Sequence, residues 1–315
     1  MVKGGLISVT VPHITILMAT CNGARFLSEQ LNSLLCQSHG NWSLIVSDDG
    51  SRDATPDILR AFAGAHPGRV AHLFDGPGRG SSALNFMTLL MRREVPDGLI
   101  ALADQDDVWL PQKLSRAVQH LATVPPIQPA IYGSESILTD AKLRPLAGSG
   151  EPNATPGFRN ALVQNLFAGH STVLNARALA LVQRAGLPSN IAFHDWWLYQ
   201  LVAGAGGQCL LDPAQTLLYR QHDTNAFGAP RGAAGAIKRA VHVLRNDYAT
   251  WLHNHWQALH AAAPHLTPAA RDLVFDLLAP GRHESRLSQV RRLRLHRSTA
   301  SGTAALWLAA GLGRI

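Results

Sequence analysis

Three carboxylates within four positions, Asp104, Asp106 and Asp107, stand at the end of an apolar run, Leu99–Ala103. Anions this close repel one another unless a cation or a solvated turn relieves them. A hard divalent ion such as Mg2+ or Mn2+, which takes oxygen ligands and shares them with phosphate, is one solution. A helix cap is the other, because Asp107 precedes Pro111-Gln112-Lys113, where an amphipathic segment opens. On this cluster alone the two readings stand level. A second acidic turn, Asp48-Asp49-Gly50-Ser51-Arg52-Asp53, also follows an apolar run. Its carboxylates suit a ribose hydroxyl or a base N–H; on this cluster alone, an ordinary turn with a helix cap is the better reading.

Two further clusters mix charge with aromatic surface. In His194-Asp195-Trp196-Trp197, a carboxylate partly stripped of water by its neighbours is a candidate general base. Trp196 and Trp197 offer faces on which a sugar ring of an acceptor can pack. The other reading is a helix N-cap at Asp195 followed by two core aromatics. In Tyr219-Arg220-Gln221-His222, His222 suits a metal or a phosphate, and Arg220 suits a phosphate held bidentately. A surface or core histidine is the plainer reading of that cluster.

The elements between these clusters predict how they are positioned. Ile14–Ala19, Trp42–Ser47, Val70–Phe74 and Leu99–Ala103 are short apolar runs of the kind found in buried parallel strands. Between them lie helical patterns, with Phe26, Leu27, Leu31, Leu34 and Leu35 at helical spacing, then Thr55–Phe62, then about Ala83 to Arg93. Strand and helix alternating over about 110 residues predict an α/β fold with a mostly parallel sheet. The acidic turns then fall at the carboxyl ends of strands, where open α/β sheets bind ligands. Further on, Ala130–Ser134 and Thr216–Tyr219 read as strands and Ala178–Ala185 and Trp196–Ala203 as helices. Gly148–Gly157 reads as a loop, and the chain is predominantly helical from about Gly232.

Charge divides the chain. Residues 1–230 hold 16 Lys and Arg against 17 Asp and Glu, whereas residues 231–315 hold 12 against 4. The expected organisation is a main domain over 1–230 and a basic helical extension over 231–315. Such an extension favours an anionic surface. A nucleic-acid partner is not expected, since basic and aromatic residues do not interleave. Cys21, Cys36 and Cys209 are odd in number and lack paired spacing, which argues against a disulfide framework or a zinc site and fits a reducing compartment. Pro12 and His13 interrupt the apolar N-terminus, so a core strand is expected there rather than a signal peptide.

Taken in order, ILMATCNGARFLSEQLNSLLCQS, SLIVSDDGSRDAT, ALADQDDVWLPQKL, HDWWLYQLVAGAGG and LYRQHDTN resemble family 2 glycosyltransferases of the GT-A fold. The likeness is greatest to the rhamnosyltransferase-type branch, in which a DQDDVW block and a YRQH block occur together. It covers about residues 12–228.

The resemblance implies a Rossmann-like central sheet flanked by helices and an inverting, metal-dependent transfer of a sugar from a nucleotide-sugar donor. Thr20 and Asn22 then lie in the first nucleotide loop, Asp48 or Asp49 meets the base, Asn85 helps to hold the nucleotide, and Asp104 approaches the ribose. Asp106 binds the Mg2+ or Mn2+ that bridges the diphosphate, His222 is a further metal or diphosphate contact, and Asp195 is the base. The implied donor is dTDP-L-rhamnose, with UDP-hexoses second. The implied acceptor is a lipid-linked glycan or a growing polysaccharide. The implied place is the cytoplasm, peripheral on the inner face of the plasma membrane through residues 231–315. Cys21 stands where the family often has Tyr, which removes a stacking surface for the base. Two rival readings are a catalytically weak glycan- or nucleotide-binding protein and a sugar nucleotidyltransferase; the latter usually wants a Gly-rich, basic first loop, and here that loop is TCNGAR.

Overall fold

The computed structural model of the protein describes residues 11–148, 154–222, 247–279, 281 and 283–315. Four parallel strands start the fold: β1 (Ile14–Thr20), β2 (Trp42–Asp48), β3 (Val70–Asp75) and β4 (Leu99–Ala103). Helices α1 (Leu27–Leu35), α2 (Thr55–Ala65) and α3 (Ser82–Leu90) connect them. Next come β5 (Val108–Trp109), α4 (Lys113–Leu121), β6 (Ala130–Thr139), β7 (Pro145–Gly148), α5 (Phe158–Ala161), a 3-10 turn at Gly169–Ser171, β8 (Val173–Leu174), α6 (Ala176–Ala185), α7 (His194–Gly204) and β9 (Gln208–Arg220). Among the described residues the sheet runs β3-β2-β1-β4-β8-β6-β9-β5, with β7 on the side of β6.

The parallel sheet is interrupted where the short β8 sits antiparallel between β4 and β6; β6 and β9 are again parallel to each other. β5 and β8 were not legible as strands, because two residues are too few to show an alternation. Strand β9 is far longer than the four residues expected of it, running through Pro213 to bring Arg220 back beside the β4 end.

Both faces of the sheet are buried at β1, β2 and β4, which is why those strands read as continuous apolar runs, whereas β3, expected to be buried, lies at the sheet edge and is largely exposed. Along β1, Ile14, Ile16 and Met18 face the cluster with α1, α2 and α4, and Leu17 faces the other. In β4, Ala101 and Ala103 take the first face, Ile100 and Leu102 the second. Each such fully buried Leu or Ile contributes about 1.5–3 kcal/mol relative to exposure.

The second face is covered by α3, α5, α6 and α7 and also by α8 (Asp247–Ala261), α9 (Pro268–Leu278), α10 (Arg286–Arg292) and α11 (Ala300–Gly311). Leu252, Trp256, Leu259, Val274, Val290 and Leu306 belong to the same buried cluster as Leu162 and Trp197. Trp256 Nε1 donates to Leu162 O at 2.9 Å. The C-terminal helices therefore share the main core. Residues 149–153 of the expected loop at 148–157, and residues 231–246 of the basic extension, lie outside the described residues.

Candidate active site

The carboxyl ends of β1, β2 and β4 meet at one mouth, and their polar turns are tied together there. Asp48 accepts from Thr20 Oγ1 at 2.7 Å and from Ser51 N and Oγ at 2.9 and 2.6 Å. Its carboxylate joins the ends of β1 and β2 and does not line the cavity. Asp49 does line it, and its two oxygens accept from Gly78 N and Gly80 N at 2.5 and 2.7 Å, which shapes the glycine-rich loop after β3. Gly76 is required at the root of that loop, because a Cβ there would stand 3.0 Å from Asp48 O and from Asp49 Cα. Asn85 lines the cavity at the start of α3, but its amide is held by Ser47, accepting from Oγ at 2.6 Å and donating to the carbonyl at 3.0 Å.

Gln105, inside the acidic turn, was missed as a functional residue. Its amide clasps the first loop, accepting from Cys21 N at 2.9 Å and donating to Cys21 O at 3.0 Å. Asn22 sits on the outside of that loop with φ 49°, accepting from Arg52 N at 2.9 Å, and does not line the cavity.

The acidic turn divides its carboxylates. Asp104 and Asp106 face the cavity, and Asp107 is fully buried behind them. Burial, and then the charges of Asp106 and Asp195, push the Asp104 carboxyl up to about 7. Asp106 Oδ2 meets His222 Nε2 at 2.8 Å. Asp107 caps no helix; Oδ1 accepts from Arg220 N at 3.2 Å, and Oδ2 is buried with no hydrogen-bond partner among the described residues. An Asp107 oxygen, an Asp104 oxygen and a His170 ring nitrogen lie within 4.8 Å of one another. Burial, and then the nearby Lys113 ammonium, bring the His170 imidazole down to about 3, so at neutral pH it keeps a lone pair to offer. The carboxylates of Asp104 and Asp107 and the neutral imidazole of His170 form a donor set that fits Mn2+ or Mg2+. His170 left no signal in the sequence, since Gly169-His170-Ser171 is a lone histidine in a turn.

The two remaining clusters contain corrections. Arg220 is 1% exposed and does not reach the cavity. Its guanidinium donates to Asp106 O at 2.9 Å, Ala141 O at 2.7 Å and Glu29 Oε2 at 2.8 Å, so it braces the acidic turn instead of meeting a phosphate. Asp195 is not a cap but lies in the first turn of α7, whose N-cap is Phe193. It lines the cavity and accepts from Gly169 N at 2.8 Å and Trp196 N at 2.7 Å. A Cβ on Gly169 would come 2.7 Å from His194 Nε2, so this glycine permits the close approach beside Asp195. Trp196 lines the cavity, with Nε1 donating to Ala161 O at 2.6 Å. Trp197 points the other way, 1% exposed in the core and off the cavity wall, because adjacent helical residues face about 100° apart.

The cavity encloses about 830 Å3. It gathers Thr20, Asp49, Asn85, Asp104, Asp106, Asp195 and Trp196 from the expected residues, with His222 just behind Asp106. That volume lies within the ~300–1,000 Å3 usual for a small-ligand site.

With this geometry in hand, comparison with known proteins is specific. The profile described as glycosyl transferase family 2 matches residues 15–178, a little over half of the 315-residue chain. The chain is 26% identical over 241 residues to dTDP-rhamnosyl transferase RfbG of Shigella flexneri, covering 73% of this chain and 80% of that one. It is 32% identical over 110 residues to an uncharacterized glycosyltransferase of Nostoc sp., covering 35% of this chain and 33% of that one. Among solved structures, a mannosyltransferase of Pyrobaculum calidifontis in complex with GDP-Man and Mn2+ superposes with TM-score 0.54 at 20% identity, over 97% of this chain and 88% of that one. TarS of S. aureus in complex with UDP-GlcNAc gives TM-score 0.52 at 14% identity, over 96% and 91%. These identities speak for the fold, which is of the GT-A type.

Proposed function

The chain belongs to glycosyl transferase family 2, and from that premise we propose that it transfers L-rhamnose from dTDP-rhamnose to a hydroxyl of a glycan or lipid-linked glycan, with inversion, in polysaccharide biosynthesis. The observation that carries the reading is the convergence of Asp49, Asp104, Asp106 and Asp195 on one cavity at the strand ends. The choice of donor rests on the likeness to RfbG; UDP-hexoses are the second choice.

Thr20 and Asp49 bind the nucleoside end, with Asn22, Asp48 and Asn85 holding that loop system in place. Asp104 takes the ribose. Asp106 and His222 would hold Mg2+ or Mn2+, which when bound neutralises charge on a leaving diphosphate. Asp195 takes the acceptor proton while two backbone N–H donors fix its carboxylate, and the freed oxygen attacks the anomeric carbon opposite the leaving group. A single displacement needs no covalent enzyme intermediate, so the cysteines have no role as nucleophiles. Trp196 faces the acceptor sugar.

A second metal reading has its own observation, the Asp104–Asp107–His170 group. Mn2+ titration of His222→Ala and His170→Ala separates the two: the ligand's loss weakens binding and the other's does not.

The membrane arm of the reading rests on α11. No helix among the described residues is long and apolar enough to cross a membrane. Trp307, Leu308 and Leu312 are nevertheless 37%, 66% and 63% exposed, with the Arg291 guanidinium 4.7 Å from the Trp307 ring. An apolar face beside Arg291 suits an anionic bilayer surface, and it supports the reading of a peripheral enzyme on the cytoplasmic leaflet. Vesicles containing phosphatidylglycerol should sediment the wild type and release Leu308→Ser/Leu312→Ser; equal sedimentation removes the membrane arm.

The donor is tested by screening dTDP-, UDP- and GDP-sugars with Mn2+ or Mg2+, by calorimetry and donor hydrolysis. Selective, cation-dependent binding of dTDP-rhamnose supports the assignment. Binding of no nucleotide sugar ends the reading.

A further inference from the structure

The wall of the cavity opposite the acidic turns is made by residues beyond the family match at 15–178. Tyr248 and Trp251 on α8 and Arg297 before α11 reach it beside Phe193 and Trp196. Trp251 meets Phe193 edge-on, centroids 5.1 Å apart at 86°, and Tyr248 lies nearly parallel to Trp196, 6.4 Å apart at 17°. Such a wall offers apolar ring faces with polar edges, the surface on which a sugar's C–H face packs.

Arg297 adds charge. Among the described residues lining the cavity it is the one permanent cation, facing a space otherwise edged by Asp49, Asp104, Asp106 and Asp195. Its side-chain partners are uncharged: Nη1 donates to Val163 O at 3.2 Å and to Tyr248 OH at 3.4 Å. Nε and Nη2 make no hydrogen bond with a described residue, and a guanidinium carries five N–H donors. The group is also held in place. Tyr248 OH donates to Val163 O at 2.5 Å, while Gln164 and Ser298 exchange two hydrogen bonds of 2.8 and 2.7 Å. A cation built into a braced wall, with donors to spare and no ion pair to a carboxylate among the described residues, is suited to an anionic ligand group.

Resting on the glycosyltransferase reading, we propose that Tyr248, Trp251 and Arg297 form an acceptor subsite for a glycoside bearing an anionic group, either a phosphate on the anomeric oxygen or a carboxylate on the ring. The rings take the sugar face and Arg297 takes the anion. The C-terminal segment is thus part of the substrate site and selects the acceptor.

The test uses three probes that share a ring and a tail: octyl glucoside, octyl glucuronide and glucosyl octyl phosphate. Each is titrated below its micellar concentration into the full chain carrying UDP and Mn2+, with tryptophan fluorescence and calorimetry as readouts. At least one anionic probe should bind roughly tenfold or more tightly than octyl glucoside, and the preferred one identifies the source of the anion. Arg297→Gln should abolish that preference and leave octyl glucoside unchanged. Trp251→Ala should weaken all three about tenfold. UDP titration into each variant reports whether it is folded, and Arg297→Lys, which keeps the charge, should restore part of the preference. Equal binding of the three probes, binding of none, or an Arg297→Gln loss shared equally by all three overturns the subsite. Failure of the wild type to bind any nucleotide with Mn2+ is a separate result, which overturns the underlying reading.

Discussion

The two walls of the cavity were built by different kinds of chain. The wall proposed for the donor is local: Thr20 ends β1, Asp49 follows β2, Asp104 and Asp106 lie in the turn after β4, and strand pairing brings them together. The opposite wall is assembled from distant segments, with Phe193 and Trp196 at the start of α7, Tyr248 and Trp251 on α8 and Arg297 between α10 and α11. One wall is acidic and held by side chains bonded to neighbouring turns. The other is aromatic, carries a cation and is held by ring packing and by hydrogen bonds between segments far apart in the chain. The contrast teaches that the acidic wall comes with the sheet, whereas the aromatic wall depends on what the C-terminal helices bring to it.

Substitutions on the two walls should therefore fail differently. The largest effect is expected at the junction between them. Asp195→Asn should lower turnover by about 10²–10⁴-fold, the usual value of a positioned base, while nucleotide binding with Mn2+ persists; steady-state rates alongside calorimetry decide it, and full turnover removes Asp195 as the base. Next, on the donor wall, Asp106→Ala should weaken Mn2+-dependent nucleotide binding on the order of 100-fold, at the upper end of what loss of a supporting metal partner costs. An unaltered metal titration would move the ion elsewhere.

A smaller effect is expected from Gly169→Ala, whose added methyl meets His194 Nε2 at 2.7 Å beside Asp195. Displacing that segment should slow turnover about tenfold, short of the ~100-fold of a full 1 Å misplacement, and leave the nucleotide affinity alone. If donor binding falls instead, the walls are not separable in the way described.

Last comes a site that belongs to neither wall. Asp212, with its side chain fully buried, accepts from Arg116 at 2.7 and 2.8 Å, from Tyr132 OH at 2.7 Å and from Ala214 N at 3.0 Å. Burial works to raise its carboxyl, but the bonds from Arg116, Ala214 N–H and Tyr132 outweigh it and hold the group below its ordinary 3.8. Its contribution to stability is thus complete above the unfolded value and is lost as pH falls through the lower folded one. Asp212→Asn should cost about 2–3 kcal/mol in urea unfolding at pH 7, with the deficit shrinking in acid and kcat unchanged. A deficit that stays constant with pH would contradict the assignment.

Much of the donor wall was legible before any fold was known. A run such as Leu99–Ala103 followed by Asp104, Asp106 and Asp107 shows both the strand and the polar cluster at its end, because strand burial and the ligand-binding edge are properties of adjacent residues. Which of the three carboxylates faces the cavity was not legible. Asp107 turned inward because Arg220, brought back by β9, offers it a backbone N–H. Gln105 was passed over because an amide between acids carries no distinctive signal; its clasp on Cys21 exists only once β1 and β4 are neighbours. Of the pair Trp196 and Trp197, the helical turn alone sent one to the cavity and the other to the core.

The amino-acid sequence by itself determined the strand–helix alternation, the parallel sheet over the first four strands, the acidic turns at their ends and the membership that follows from these. Hydrophobic periodicity is written in near neighbours and survives without knowledge of partners. The tertiary structure alone decided that Arg220 braces the acidic turn, that His170 stands beside Asp104, and that Tyr248, Trp251 and Arg297 share a cavity with Asp195. Those relations join residues far apart in the chain, 114 positions in the bond from Arg220 to Asp106 O. A side chain's direction and partners at that range are set by how the helices pack on the sheet.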